Sequence, residues 1–227
     1  MLPTAIWLGD LAVTLAFVPN DIPRADAART ALSSLGITKD TYAFYRTPWG
    51  QPRLRHRPGA DRTATPIPLL SFSDDGLAGM AIAADPSLRG LGLDIVRLDR
   101  LSRYSADAAA AAHLLRRISA ATTAATPTNL ASIFALKEAT AKALGTGLKV
   151  GLGLGGPHSV SFSSIEVSGS GHDRSVELHG AARTRLRSLG AHEIRVATCA
   201  LPDYVIGVVG LIRQPRNRCR LPDVVRM

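Results

Sequence analysis

One segment, NLASIFALKEATAKALG at residues 129–145, constrains the fold more than any other part of the chain. It consists mainly of strong helix formers, and its apolar residues recur at helical spacing. Gly145 suits the left-handed conformation of a helix C-cap, and Thr128 has a side chain suited to the N-cap. We therefore predict a helix over 129–145, followed by a glycine-rich segment at 146–159.

The sequence on either side of this helix predicts a mixture of strands and shorter helices. The predicted strands are 4–18, 91–98, 160–167 and 175–180, the predicted hairpins are 68–85 and 194–213, and the predicted shorter helices are 25–36, 105–121 and 181–190. A helix followed by a hairpin occurs in both halves of the chain, as in a duplicated fold. We therefore divide the chain into an N-terminal half at 1–90, a C-terminal half at 91–213 and a basic tail at 214–227.

The composition is typical of a globular protein. Hydrophobic residues make up 46% and charged residues 20% of the 227 residues, which excludes global disorder. No apolar stretch approaches the 18 residues of a membrane span, and no basic region precedes the first apolar run, as a secretory signal would require. Two cysteines cannot form a disulfide framework or a four-ligand zinc site. We therefore expect a cytoplasmic protein without a membrane partner.

The net charge of +9 indicates a polyanionic partner, which could be nucleic acid, a phosphorylated cofactor or an acidic protein. Aromatic residues make up only 5% of the chain, too few for the stacking platforms that bind single-stranded nucleic acid. Only four of the 27 basic residues are lysines, and three of these lie at 137–149. This segment is therefore the first candidate for a phosphate contact.

Two acidic residues are notable for their surroundings. Asp94 lies in the apolar strand GLGLDIV, where a carboxylate is costly unless it is hydrogen-bonded or binds a cation. Glu138 precedes Lys142 by four residues, so both side chains share one helix face. In one interpretation, Asp94 caps a helix, and Glu138 forms an exposed ion pair with Lys142. In the other, both carboxylates bind Mg²⁺ and a lysine contacts a phosphate.

The glycine-rich segment and the nucleophiles are less informative. Glycines after a helix permit close approach of the backbone to a ligand, and they equally suit a flexible connector. The chain has no Walker motif and no G-x-G-x-x-G between a strand and a helix, so those nucleotide-binding folds are not supported. Its histidines and cysteines show neither metal-ligand spacing nor the pattern of an activated nucleophile.

Two stretches resemble the signatures of 4′-phosphopantetheinyl transferases: LGLDIVRLDRL at 91–101 and FALKEATAKALGTGL at 134–148. Their details are most similar to holo-acyl-carrier-protein synthases. The long region at 1–90 before the first motif resembles instead the pseudo-dimeric, surfactin-synthetase type of this superfamily. The resemblance implies an α+β fold, with two similar halves related by a pseudo-twofold axis and coenzyme A bound between them. We expect a monomer.

The resemblance also implies a reaction and its residues. The serine hydroxyl of an acyl or peptidyl carrier protein attacks the β-phosphorus of coenzyme A, and the products are holo-carrier and 3′,5′-ADP. Asp94 and Glu138 would bind Mg²⁺, and Glu138 and Lys142 would be the catalytic residues. The residues expected to bind coenzyme A are Arg53, Ser73, Lys137, Lys142, Gly145 and Gly147. The expected partner is an acidic carrier protein, which the +9 charge would attract.

The chain departs from the family pattern at two positions that face coenzyme A in relatives. Asp74 stands where a histidine helps to hold the 3′-phosphate, and Gln51 stands where a lysine is usual. Arg53 or the basic segment 55–57 would supply the missing charge. The alternative interpretation is a non-catalytic member of the fold that binds a carrier protein or coenzyme A. Val96 occupies the position of a second acidic ligand, as in the shorter synthases, where water takes that place.

Overall fold

The computed structural model describes residues 4–19, 32–33, 37, 41–47, 51–59, 67–101, 126–149 and 159–213. Two antiparallel sheets and one long helix form the centre of this α+β fold, as predicted. The first sheet has the order β1-β2-β6-β5, and its strands are β1 (Thr4–Leu8), β2 (Leu11–Pro19), β5 (Leu69–Asp74) and β6 (Leu77–Ala83). The second has the order β12-β13-β7, and its strands are β7 (Leu88–Arg97), β12 (Glu193–Ala200) and β13 (Tyr204–Ile212).

Three smaller strand pairs and two helices complete the described architecture. The pairs are β3 (Tyr42–Arg46) with β4 (Pro52–His56), β10 (Ile165–Ser168) with β11 (Ser175–Leu178), and the parallel pair β8 (Leu148–Lys149) with β9 (Val160–Ser161). The helices are α1 (Pro127–Leu144) and α2 (Gly180–Ser188). None of the helices in the described ranges has the length and apolar character needed to cross a membrane.

Helix α1 lies directly on the second sheet because small residues meet at the contact. Ala135, Ala139 and Ala143 recur at intervals of four along one face of the helix. Opposite them lie the glycines of β7 and β13: a methyl group on Gly92 would overlap the Ala139 carbonyl, and one on Gly90 would overlap that of Ala143. The absence of side chains on the strands therefore allows the helix backbone to approach the sheet closely.

The backbone amides along one edge of β7 form hydrogen bonds with side chains instead of with a neighbouring strand. The amides of Leu93 and Ile95 donate hydrogen bonds to the hydroxyls of Ser71 and Ser73, at 2.9 and 3.2 Å. The next free amide on this edge, that of Arg97, donates to the Asp75 carboxylate at 2.9 Å. Alternate side chains along β5 and its turn therefore join the first sheet to the second.

Most of the predicted elements within the described ranges are confirmed. The hairpins at 68–85 and 194–213 are β5–β6 and β12–β13, and the strand at 91–98 is β7. The paired strands at 160–167 and 175–180 are present, with a short 3₁₀ turn, Phe162–Ser164, interrupting the first. Helix α2 begins one residue before the predicted 181–190 segment.

Two predictions of local structure are wrong. The segment 4–18 is a hairpin of two strands, because Gly9 takes a φ of 66° in a tight turn between β1 and β2. The N-cap of α1 is Thr126 and not Thr128: its hydroxyl accepts a hydrogen bond from the Asn129 amide, and Pro127 takes the first helical position. The helix therefore begins two residues earlier than predicted.

Other predictions cannot be compared with the structure. The helix at 105–121 and the tail at 214–227 lie outside the described residues, as does the helix at 25–36 apart from a helical Leu32–Ser33. The pseudo-twofold axis and the division into halves at 1–90 and 91–213 stay predictions. The described strands of the first sheet all precede residue 85, and those of the second sheet all follow it.

Candidate active site

Asp94 is the buried centre of a polar cluster between the two sheets. It lies in β7, and only 7% of the residue is exposed. One carboxylate oxygen, Oδ1, accepts hydrogen bonds from Lys142 Nζ at 2.7 Å and from the Ser73 hydroxyl at 2.9 Å. Lys142 Nζ also donates to the Leu93 carbonyl at 3.0 Å. Burial raises the pKa of Asp94, while the ammonium of Lys142 and the hydroxyl of Ser73 act against this rise.

Glu138 faces the same cluster from helix α1, one turn before Lys142. The pKa of Glu138 is raised to about 7, mainly by burial and also by the Asp94 carboxylate, while Lys142 opposes both effects. The Asp94 carboxylate therefore acts on the pKa of Glu138, although the two residues are distant in sequence. The predicted trio of Asp94, Glu138 and Lys142 is brought together by the close packing of α1 on β7.

The donor set of this cluster suits Mg²⁺. Mg²⁺ commonly binds one or two carboxylates and completes its coordination with water and phosphate oxygens. Asp94 Oδ1 is already occupied by two donors, which leaves Oδ2 for a cation. No group of three or more acidic, histidine or cysteine side chains with metal-binding geometry occurs among the described residues. Asp94 and Glu138 are the two carboxylates of the cluster that could hold a partly hydrated ion.

A cleft of about 280 Å³ lies beside the cluster. It is lined by residues from β3, β4, β5, β7 and the end of α1: Arg46, Gln51, Pro52, Leu70, Ser71, Phe72, Ser73, Asp74, Leu91, Lys142 and Thr146. Ser73 and Lys142 therefore belong both to the Asp94 cluster and to the wall of the cleft. Asp74 is at the wall as well, so its charge acts on any anion that enters.

Gln51 and Arg53 approach the C-terminal end of α1 from the β3–β4 hairpin. Gln51 Nε2 donates a hydrogen bond to the Lys142 carbonyl at 2.9 Å, and Arg53 donates to Gln51 Oε1 at 3.2 Å. Arg185 of α2 reaches the same helix end and donates to the Leu144 carbonyl at 3.0 Å. Burial lowers the pKa of Arg53, and the nearby guanidinium of Arg185 adds to this effect. Two cationic groups therefore lie near each other at the end of α1, and neither is among the residues that line the cleft.

The predicted glycines occupy tight positions. Gly145 has a φ of 74° and forms the C-cap of α1, as predicted. A methyl group on it would come within 2.8 Å of Gln51 Oε1, so the glutamine side chain covers this turn. A methyl group on Gly147 would come within 2.8 Å of the Ser159 hydroxyl. Both glycines thus permit close packing of protein groups at the end of α1.

Lys137 lies apart from the cleft wall. Its ammonium donates to the Phe162 carbonyl at 2.9 Å and lies 4.6 Å from the centre of the Phe162 ring. Only 2% of the residue is exposed, and burial lowers its pKa to about 8. The structure therefore places Lys137 on the seam between α1 and the 3₁₀ turn.

Sequence reasoning did not identify several residues of the site. Arg46 and Thr146 line the cleft, Ser71 supports the edge of β7, and Arg185 binds the end of α1. Their types and spacing are those of ordinary surface residues. The one available signal was the position of Thr146, which directly follows the helix cap at Gly145.

The comparisons with known proteins bear on the family to which the chain belongs. A family profile described as the 4′-phosphopantetheinyl transferase superfamily matches residues 90–209, just over half of the chain. The chain therefore belongs to the 4′-phosphopantetheinyl transferase superfamily. The family inferred from the motifs at 91–101 and 134–148 is thus confirmed, and with it the enzyme class, phosphopantetheinyl transferase.

Similar proteins include two bacterial holo-[acyl-carrier-protein] synthases. That of Roseiflexus castenholzii is 36% identical over 135 residues, which are 58% of this chain and 96% of the relative. That of Solidesulfovibrio magneticus is 36% identical over 133 residues, 55% of this chain and 98% of the relative. Among solved structures, the synthase from Neisseria meningitidis has 29% identity and a TM-score of 0.41, covering 56% of this chain and 99% of that one.

Proposed function

We propose that this protein transfers 4′-phosphopantetheine from coenzyme A to a serine of an acyl or peptidyl carrier protein, with Mg²⁺ held by Asp94 and Glu138. Family membership supports the transfer from coenzyme A. One observation supports the metal site and the roles of these residues. Lys142, which lines the cleft, binds Asp94, and Glu138 lies one turn away on the same helix. This arrangement supports the proposal because Lys142, which binds Asp94, lines the cleft that a pyrophosphate would enter.

Mg²⁺, when bound, would neutralise charge that develops on the pyrophosphate. The two carboxylates suit this role because burial disfavours the negative charge of each in its absence, and the Asp94 carboxylate also disfavours that of Glu138. Lys142 would hold a phosphate oxygen with the part of its ammonium that faces the cleft. Little covalent chemistry is needed from the protein, since phosphoryl-type transfer depends mainly on positioning and charge.

The proton of the carrier serine would go to Glu138, directly or through a water molecule. A carboxylate positioned beside the attacking hydroxyl can act as its general base. The serine oxygen forms a bond to the β-phosphorus of coenzyme A. The bond from that phosphorus to the bridging oxygen breaks, and 3′,5′-ADP leaves with the bonding electrons.

Coenzyme A would lie in the cleft, near residues of both sheets. Ser73 and Lys142 line it, and Gly145 shapes the turn that closes one end. Arg53, together with the neighbouring Arg185, would bind a phosphate. Gly147 would allow the backbone to approach the nucleotide. Lys137 would act indirectly, by holding α1 to the 3₁₀ turn through its hydrogen bond to Phe162, and not by direct contact with coenzyme A.

The partner would be an acidic carrier protein, since a chain of charge +9 attracts acidic surfaces. Arg97, the last residue of β7, and Arg100 are exposed and paired with Asp99 and Asp75, at 2.6 and 2.8 Å. They would exchange these partners for carboxylates of the carrier. We further propose a cytoplasmic monomer without membrane or nucleic-acid partners.

The test is mass spectrometry of an apo carrier protein incubated with this protein, Mg²⁺ and coenzyme A. A gain of one phosphopantetheinyl group, abolished by a chelator and restored by Mg²⁺, is the expected result. Glu138→Gln should slow transfer by about 100-fold or more, because the base and a metal ligand are lost together. Glu166→Gln, a glutamate paired with His179 outside the site, is the matched control and should retain the activity.

A second outcome would favour the non-catalytic interpretation. If the wild-type protein binds the carrier or coenzyme A and never modifies the serine, the proposed transfer is wrong. If transfer proceeds at full rate in the chelator, only the assignment of Mg²⁺ fails.

A further inference from the structure

Gln51 links the β3–β4 hairpin to the end of helix α1, across 91 residues of sequence. Its side-chain Nε2 donates to the Lys142 carbonyl at 2.9 Å. That carbonyl lies in the last helical turn, where carbonyls lack the usual intrahelical partner. It accepts one further hydrogen bond, from the Gly145 amide at 3.1 Å. The glutamine is thus a second donor to the residue whose ammonium binds Asp94.

The Gln51 side chain is itself held at both ends of its amide. Arg53 donates to Oε1 at 3.2 Å, which directs Nε2 towards the helix. The Gln51 backbone amide donates to the Thr47 hydroxyl at 3.2 Å, which ties it across the hairpin turn. On the other side it rests against Gly145, where a methyl group would lie only 2.8 Å from Oε1. Its rotamer is therefore defined by contacts on three sides.

Lys142 is consequently held from two directions. Its main chain is bound by Gln51, and its ammonium is bound by Asp94 and the Leu93 carbonyl. We propose that Gln51 is a positioning residue, which fixes the last turn of α1 so that the Lys142 ammonium stays between Asp94 and the cleft. This inference deepens the proposed function and rests on it, since it assigns to the β3–β4 hairpin a role in the transfer.

The positioning role of Gln51 can be distinguished from a direct contact with coenzyme A. Gln51 lines the cleft, so it has a second conceivable role as a direct hydrogen-bond partner of coenzyme A. A direct partner would affect coenzyme binding and leave Lys142 in place. A positioning residue would affect the order of Lys142 even in the protein without coenzyme. The two roles therefore differ in a measurement made on the free protein.

The experiment follows the lysine ammonium groups by NMR in the full-length protein. The chain contains only four lysines, so the signals are few, and Lys142→Arg assigns the one of interest. Ammonium groups that are held by hydrogen bonds exchange their protons with water slowly. In Gln51→Met, which keeps the length of the side chain but has no amide, we expect exchange at Lys142 to be about fivefold faster or more.

Two further variants complete the design. Gln51→Glu keeps the shape and the acceptor for Arg53 but has no donor for the Lys142 carbonyl, so it should behave like Gln51→Met. Asn129→Ala is the matched control, since Asn129 receives a hydrogen bond from Arg174 at the opposite end of the same helix. It should lower the melting temperature and leave the Lys142 signal unchanged.

Kinetics with coenzyme A and an apo carrier provide the second measurement. In Gln51→Met, which adds no charge to the cleft, we expect kcat to fall about tenfold while KM for coenzyme A changes less than about twofold. An unchanged Lys142 signal in both variants would overturn the inference, and a rise in KM alone would make Gln51 a binding residue. A wild-type protein without transferase activity would defeat the proposed function, while the NMR comparison would still test the link to Lys142.

Discussion

The Ser73 hydroxyl donates a 2.9 Å hydrogen bond to Asp94 Oδ1, across the boundary between the two sheets. The same hydroxyl accepts a hydrogen bond from the Ile95 amide. One small side chain therefore satisfies a strand edge and also occupies one oxygen of the proposed metal ligand. The remaining oxygen of Asp94 is left for a cation.

Replacement of Ser73 by alanine should impair both roles. The Ile95 amide would lose its buried partner, so the free energy of unfolding should fall by about 1–3 kcal/mol. Groups that orient a metal ligand typically contribute about tenfold or more to activity, so we expect kcat to fall by about tenfold. Denaturant unfolding and steady-state transfer assays measure the two effects.

Ser71→Ala is the control for this prediction. Ser71 accepts the equivalent hydrogen bond from the Leu93 amide on the same edge, and it has no contact with Asp94. It should lose similar stability and keep kcat within about twofold. Equal losses of kcat in the two variants would show that Ser73 acts only through the strand edge.

The packing of α1 on the second sheet gives a second prediction, on stability. Gly92→Ala would place a methyl group on the Ala139 carbonyl, and neither backbone can move aside cheaply. We expect the free energy of unfolding to fall by about 3 kcal/mol or more, as measured by chemical denaturation. Activity should fall as well, because the displaced helix carries Glu138 and Lys142.

Gly210→Ala in β13 is the matched control. Its methyl group would meet only the ends of leucine side chains, 3.0 Å from Leu8 and 3.2 Å from Leu88, which can rotate. The loss of stability should therefore be about 1 kcal/mol. If both variants were equally stable, the close helix–sheet contact would not be as tight as the glycines indicate.

The central residues of the site were predictable because each had a local signature. Glu138 and Lys142 share a helix face at a spacing of four, and Asp94 is the lone charge in an apolar strand. These patterns can be seen in the sequence itself, because they arise from the periodicity of the backbone and from the cost of burying a charge. The C-cap at Gly145 was predictable for the same reason, since few residues accept its conformation.

The remaining contacts had no local signature because they join distant parts of the chain. Nothing in the sequence around Gln51 indicates an acceptor 91 residues away. The hydroxyls of Ser71 and Ser73 replace a strand partner, and alternating serines in a strand usually face solvent. The turn at Gly9 was not predicted because apolar residues lie on both sides of this glycine, so that the segment resembles one continuous strand.

The raised pKa of Glu138 gives a third prediction, on the pH dependence of stability. In the unfolded chain this carboxyl has an ordinary pKa near 4.5, and in the folded metal-free protein it is about 7. The folded state therefore binds more protons between these values. Its contribution to stability is fully present below about pH 4.5 and is lost as the pH rises through 7.

Thermal unfolding of the metal-free protein between pH 5 and 8 tests this sign. The difference in melting temperature between wild type and Glu138→Gln should shift against the wild type as the pH rises. Saturating Mg²⁺ should remove most of this dependence, because the cation favours the charged carboxylate. A difference that is constant with pH would show that Glu138 titrates at its ordinary value.

The final prediction concerns the charge at Asp74, on the wall of the cleft. The family resemblance places a histidine here against the 3′-phosphate of coenzyme A, and an aspartate adds repulsion instead of attraction. A unit charge at 5 Å contributes roughly 3 kcal/mol at an effective dielectric constant of about 20, and solvent in an open cleft reduces this to about 1 kcal/mol. Asp74→His should therefore tighten coenzyme A binding several-fold.

Dephospho-coenzyme A is the control ligand, because it lacks the 3′-phosphate. Its affinity should improve less than that of coenzyme A when Asp74 is replaced, as measured by calorimetric titration of both ligands against both proteins. Arg53→Met should show the reverse pattern and weaken coenzyme A more than the control ligand, since Arg53 is the cation that we expect to offset Asp74. An equal effect of Asp74→His on the two ligands would place the 3′-phosphate away from Asp74, because a charge acts strongly only on the phosphate that lies beside it.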